Sequence, residues 1–141
     1  MKAIQFRTGT AIPFHQVLSL YDNAGWTAYT SDSETLQRAI QQSLFVITAW
    51  DETQLVGLLR AVGDGETIVY VQDILVLKSY RRQSIGRQLL NHVLDKYLNV
   101  RQIVLMTDHT SDTTSFYESC GFTKTEHLQL QTFIRLKTRN G

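Results

Sequence analysis

Apolar positions along the chain recur with two periods, about two and about 3.6, and the changes between them mark out the elements. Residues Lys2–Thr8, with Ile4 and Phe6 apolar against polar neighbours, predict a first strand. Pro13 then stands in the first turn of a helix whose buried face is Phe14, Val17, Leu18 and Tyr21, ending at Asn23-Ala24-Gly25. Gly25–Thr30 carries two aromatics outside any clear period. Ser33 is expected to cap a second helix over Glu34–Ser43 that turns Leu36 and Ile40 inward. Ser43–Trp50 and Gln54–Val62 predict two strands joined at Asp51-Glu52-Thr53, and Gly63-Asp64-Gly65-Glu66 is a turn ahead of a third, starting at Ile68.

The stretch Ile68–Tyr97, IVYVQDILVLKSYRRQSIGRQLLNHVLDKY, organises the rest. An apolar, β-branched run reads as a buried strand. A basic turn follows, and then Ile85, Leu89, Leu90, Val93, Leu94 and Tyr97 recur at helical spacing, giving the helix one apolar stripe to lay on a sheet. A strand feeding a helix in this way is a natural anion site, because the first N–H groups of a helix lack intrahelical acceptors and the helix dipole adds positive charge. Arg101–Thr107, with Ile103 to Met106 apolar, suits a buried strand, and the strand-helix-strand order favours a parallel pair with the central one. Thr110 or Ser111 can cap a short helix ending near Cys120 and stopping at Gly121. Phe122–Thr125 and Leu128–Leu136 predict two final strands, and Thr138–Gly141 a frayed tail.

At 141 residues the chain predicts a single domain, 1–141, with one core and no repeat or linker. A net charge of +1 gives no global reason to expect a nucleic acid or an acidic membrane as partner; the basic residues are local, with Lys78, Arg81, Arg82 and Arg87 around one turn. Cys120 is the single cysteine, which excludes an internal disulfide, and reads as a small buried residue. His15, His92, His109 and His127 show no metal-ligand spacing, so no metal is expected. No leader-like segment or membrane-length apolar run is apparent, and a cytoplasmic protein is the default expectation.

The string VLKSYRRQSIGRQLL resembles the acyl-CoA-binding core of the GNAT superfamily of N-acetyltransferases. The family pattern, Val-x-Pro-x-Tyr-Arg followed by Arg/Gln-x-x-Gly-x-Gly/Ala, falls here on Val76, Tyr80, Arg81, Ser84 and Gly86. A second signature follows as FYESCGF, Phe116 to Phe122. Two positions depart from the pattern: Ser84 stands for the first loop glycine and Lys78 for the usual proline. Serine keeps its N–H but disfavours positive φ. The resemblance implies an α/β fold with a mixed, mostly antiparallel sheet, central parallel strands that splay apart, and about four flanking helices.

It also implies a chemistry, acetyl-CoA-dependent transfer to a primary amine, with a small molecule as the likelier acceptor class, by direct transfer in a ternary complex. Main chain at Ile74, Leu75 and Val76 would bind the pantetheine amides. The pyrophosphate would lie on N–H groups from Arg82 through Gln83, Ser84, Ile85 and Gly86 to Arg87, faced by a guanidinium of Arg81, Arg82 or Arg87. Thr110 stands where many members carry a cofactor-contacting asparagine. Tyr117 matches the tyrosine that protonates the departing sulfur; a phenol stays protonated at neutral pH, and the alternative is a ring packed beside Phe116. Trp26 and Tyr29 could wall an acceptor site together with Tyr70 and Gln72. The base is open: family members often place a carboxylate or histidine where Gln72 stands, and Asp73 is a candidate, against a structural carboxylate or a water relay to Tyr70, Asp73 or His109. Strand alternation puts Gln72 and Asp73 on opposite faces unless a bulge resets the phase.

Two other functions fit parts of the chain. Ser84, Gln72 and Thr110 together motivate a non-catalytic acyl-CoA-binding or sensing domain, and the arginines of the turn a nucleic-acid patch, which the near-zero net charge disfavours. The last strand pair could extend or exchange across a homodimer, as happens in the family.

Overall fold

The computed structural model describes residues 3–137, so Lys2 and the expected tail Thr138–Gly141 lie outside the described residues. The chain divides after Met106 into two compact units. The first holds β1 (Gln5–Thr8), α1 (Phe14–Asn23), α2 (Thr27–Thr30), α3 (Ser33–Gln41), β2 (Phe45–Asp51), β3 (Gln54–Gly63), β4 (Ile68–Val76), α4 (Ile85–Lys96) and β5 (Gln102–Leu105). The second holds α5 (Ser111–Ser119). Among the described residues no helix is long and apolar enough to cross a membrane.

The sheet runs in sequence order, β1-β2-β3-β4-β5, antiparallel except for the parallel β4–β5 pair. Local chemistry fixes its turns. Asp64 accepts hydrogen bonds from the N–H groups of Glu66, Thr67 and Ile68 at 2.9, 2.8 and 3.0 Å and from the Thr67 hydroxyl at 2.7 Å, which sets the start of β4. Those donors hold its carboxyl well below the usual carboxylate range. Gly63, at φ 136°, is required there because a Cβ would collide with the Ile68 carbonyl.

One apolar cluster joins Val17, Leu20 and Tyr21 of α1 and Leu36 and Ile40 of α3 to Val46, Trp50, Leu55, Leu58 and Leu75 of the sheet. α4 packs on β3 through a close approach at Gly57, where an added Cβ would sit 3.2 Å from the Ile85 side chain. Ile85, Leu89, Leu90 and Val93 are all buried, the stripe the periodicity predicts. Burying four such side chains is the main drive for seating this helix.

Several boundaries differ from expectation. α3 is capped by Asp32, not Ser33: its carboxylate accepts from the Thr35 N–H and hydroxyl at 3.3 and 2.8 Å. Pro13 stands just ahead of α1 as its N-cap residue. Gly25–Thr30 contains the short α2, so the described residues hold five α-helices, close to the expected number. Thr110 caps α5 as predicted, and Gly121 follows it at φ 95°.

The two final strands are absent among the described residues. Thr125–Leu128 is a 3-10 turn, Gln129 takes a left-handed φ of 60°, and the Leu130 N–H donates to the Thr125 carbonyl at 3.0 Å. That local closure stops an extended run from forming across residues 125–130. Beyond it, through Lys137, the chain is irregular.

Candidate active site

β4 carries the first half of the site. Its ladder to β3 slips at Gln72: Arg60 pairs with Asp73 and Ala61 with Val71, leaving Gln72 as an extra residue. The bulge resets the phase. Leu75 joins the cluster under α1, whereas the equally buried Val69 and Val71 lie outside it. Gln72 and Asp73, which simple alternation sends to opposite faces, therefore reach the same group, the Tyr29 hydroxyl: Gln72 Nε2 donates to it at 3.2 Å and it donates to Asp73 Oδ1 at 3.1 Å.

Asp73 is only 2 % exposed. Its Oδ2 accepts from the Tyr21 hydroxyl at 2.8 Å and from Arg60 Nε at 2.8 Å, while Arg60 Nη1 also reaches the Ser43 hydroxyl at 3.4 Å. Burial alone would lower the Arg60 pKa, but the adjoining Asp73 carboxylate outweighs it and the guanidinium stays charged. Burial, then the Asp73 charge, pushes the Tyr21 phenol far above its ordinary range. A base must come within hydrogen-bonding reach of its amine. A carboxylate closed off from solvent and filled by three donors favours the structural alternative over the role of base.

Around this group stand the aromatics. Trp26 and Tyr29 meet Tyr21 edge-on, with centroids 5.8 and 5.3 Å away, and lie 6.1 Å from each other. Tyr70 is half-buried, and its phenol is raised by burial and by its neighbours Tyr29 and Asp73. Tyr29, Tyr70, Gln72 and Asp73, with Trp26 beside them, are thus gathered into one region. Sequence reasoning missed Arg60 and Ser43 as members and took Tyr21 only as core. An arginine inside an otherwise apolar strand, Leu58-Leu59-Arg60-Ala61-Val62, was the available signal.

The second half is the β4–α4 junction. β4 pairs with β5 only from Ile68↔Gln102 to Val71↔Leu105 and then runs on to Val76, so Ile74, Leu75 and Val76 are laddered to β3 alone within the sheet. β5 ends at Leu105, opposite Val71, and the parallel ladder stops there. Arg82 and Ser84 both take the left-handed conformation, at φ 68° and 63°. Serine thus adopts the backbone that glycine supplies in the motif, at a strain of roughly 1 kcal/mol. Ser84 makes no side-chain cap, and the first N–H to close a helical bond is that of Gln88, to the Ser84 carbonyl at 3.0 Å. The preceding N–H groups of Ile85 and Gly86 have no intrahelical acceptor.

Two tethers hold this loop. The N–H of Lys78, which a proline would lack, donates to Asn23 Oδ1 at 2.9 Å, tying the turn to the end of α1. The Tyr80 hydroxyl donates to Asp51 and lies 3.3 Å from Gln54 Oε1, tying it to the β2–β3 hairpin. That bond to Asp51 raises the Tyr80 phenol above its ordinary range. Arg81 and Arg82 are exposed and Arg87 half-buried.

In the second unit, Tyr117 packs edge-on against Phe116 and Phe122, with centroids 4.9 and 6.0 Å away. Burial, with a contribution from Cys120, pushes its phenol up to about 12, so it is protonated across the physiological range. The Thr110 hydroxyl accepts from the Thr113 N–H at 3.2 Å and is occupied in capping α5.

A model of the acetyltransferase (GNAT) domain matches residues 14–138. The structure of a GNAT-family acetyltransferase from Streptococcus pneumoniae is 34% identical, covers 96% of this chain and 98% of its own, and superposes with a TM-score of 0.86. The chain belongs to the GNAT acetyltransferases and is an acetyl-transferring enzyme of that family. The fold is shared with an aminoglycoside acetyltransferase from an uncultured soil metagenomic sample, in complex with sisomicin (20% identity, 96% of this chain and 95% of that one, TM-score 0.73). It is shared also with an aminoglycoside N-acetyltransferase in complex with CoA (18% identity, 99% and 97%, TM-score 0.70). No curated protein matches the sequence.

Proposed function

We propose that this enzyme moves an acetyl group from acetyl-CoA to a primary amine of a small molecule, by direct transfer in a ternary complex. The observation that carries this reading is the β4–α4 junction, where a strand released from its parallel neighbour beyond Val71 runs into a helix opened by left-handed Ser84. Main chain of Ile74, Leu75 and Val76 binds the pantetheine amides. N–H groups across Arg82, Gln83, Ser84, Ile85, Gly86 and Arg87 bind the pyrophosphate, with a guanidinium of Arg81, Arg82 or Arg87 balancing its charge. The family match spans both compact units, which supports 1–141 working as one acyltransferase domain.

Catalysis is mostly a matter of holding a neutral amine against the thioester carbonyl. Trp26, Tyr29, Tyr70 and Gln72 form the acceptor wall. Tyr117 donates its proton to the departing thiolate as the tetrahedral intermediate collapses, a role suited to a phenol that keeps its proton well above neutrality, and the proton that the amine nitrogen sheds passes to water, from which the phenol is reprotonated. Thr110, engaged as a helix cap, adds at most a minor cofactor contact. The sisomicin and CoA complexes of fold relatives agree with a small amine and a CoA thioester as the two substrates.

Calorimetric titration with acetyl-CoA, at two salt concentrations with ATP as control, tests the cradle. One saturable site per chain is expected. Tyr117→Phe should then retain that binding and lower kcat across an amine panel about 100-fold or more. Intact binding with no transfer to any amine by the parent would favour an acyl-CoA sensor instead.

A further inference from the structure

The group around Asp73 does more than fill space under the acceptor wall. Resting on the acetyl-transfer reading above, we propose that Tyr29 is the residue that orients the acceptor's nitrogen, acting as a hydrogen-bond acceptor whose polarity is imposed by the buried Arg60–Asp73 pair.

A tyrosine hydroxyl has one hydrogen and accepts chiefly in the plane of its ring, because the second lone pair is delocalised into the π system, and its hydrogen turns to the best acceptor in reach. For Tyr29 that acceptor is Asp73 Oδ1, at 3.1 Å and behind it in the core. The hydrogen is thus committed inward. Gln72 Nε2 takes the acceptor side at 3.2 Å, and because that amide is on an exposed side chain it is the partner that an incoming N–H replaces. Gln72 is exposed and Tyr29 half-buried, so the oxygen belongs to a surface that a solute can reach. A group approaching there meets a phenol oxygen polarised by a carboxylate, and it must bring an N–H. An acceptor lacking one gains nothing from the position.

The reverse polarity is prevented from below. Asp73 cannot donate to Tyr29, because it is an anion held by Arg60 at 2.8 Å and by the Tyr21 hydroxyl at 2.8 Å. The carboxylate's charge is balanced by Arg60, so the site offers directed polarity without a free negative charge. The Gln72 bulge is what brings both the inner and the outer partner to one hydroxyl. Asp73, Arg60 and Tyr21 are positioning residues; Tyr29 alone of the set touches the acceptor.

The test is steady-state kinetics of Tyr29→Phe on an amine that the parent acetylates, with acetyl-CoA affinity measured by calorimetry on the same preparation. The ring remains and only the hydroxyl is lost. A tenfold to hundredfold fall in kcat/KM for the amine is expected, carried mainly by KM, with acetyl-CoA affinity within twofold of the parent. The joint replacement Arg60→Gln with Asp73→Asn leaves no lone buried charge and should reproduce the amine KM change. Adding Tyr29→Phe to it should cost little more, because the three residues act as one unit. Unchanged amine KM in Tyr29→Phe, or a loss of acetyl-CoA affinity instead, overturns the inference and leaves the transferase reading standing. Failure of the parent both to bind acetyl-CoA and to acetylate any amine overturns the two together.

Discussion

Two nine-residue stretches of this chain read much alike and end differently. Ile68–Val76, IVYVQDILV, is the strand β4, with Val69, Val71, Asp73 and Leu75 buried. Leu128–Leu136, LQLQTFIRL, is irregular after its first residue, and its five large apolar side chains are between 51 and 87 % exposed. The second is the poorer in apolar residues, five against seven, and in β-branched or aromatic ones, three against six, yet both read as strands. The context at each entrance separates them further: Asp64 gathers three N–H groups and a hydroxyl to launch β4 into a ladder, whereas a 3-10 turn and left-handed Gln129 turn the other segment aside. Strand propensity describes how well a segment suits a pleated, half-buried surface, and such a surface has to be supplied by neighbours.

The contrast can be pressed by substitution. Leu75→Ala, in the core cluster under α1, should lower unfolding stability by roughly 2–5 kcal/mol in urea titrations. A loss under about 1 kcal/mol would mean that β4 is far less tightly packed than its 4 % exposure implies.

A smaller effect belongs to the launch of the strand. The Asp64 carboxyl sits below the unfolded value of about 3.9, so the stability it lends is complete above that pH and drains away as pH falls toward the native value. Asp64→Ala should lower stability at neutral pH and flatten its decline below about pH 4. A parent-like acid limb in the variant would assign that decline to other carboxylates.

The smallest change is expected in the other stretch. Phe133→Ser should move the thermal midpoint little, corresponding to about 0.5 kcal/mol or less, because a ring that is 87 % exposed has little burial to lose. A drop comparable to that of Leu75→Ala would show that the ring is packed in solution.

Much of the candidate site's layout was legible in residue order, for a physical reason: a strand-turn-helix junction is local. The strand into Val76, the basic turn and the α4 stripe are contiguous, so their sequence spacing is also their spatial order. The proposed acceptor region was legible only as a set of candidates. Trp26, Tyr29, Tyr70 and Gln72 could be named, but not the hydroxyl on which Gln72 and Asp73 converge, because that depends on a bulge set by the pairing of two strands.

The sequence by itself determined the strands β2, β3 and β4, the parallel crossover and the α4 anchor, since each follows from a period or a turn residue within a short window, while the α/β class with its mostly antiparallel sheet was implied by the family resemblance. Tertiary structure alone decided the rest. It put Arg60 against Asp73 across thirteen residues of chain, gave Lys78 an acceptor in Asn23, and let Ser84 hold a glycine's conformation. It also withheld strand structure from Leu128–Leu136. Each of these depends on a partner distant in the chain or on a competing local turn, and a run of side chains read alone carries no record of which one prevails.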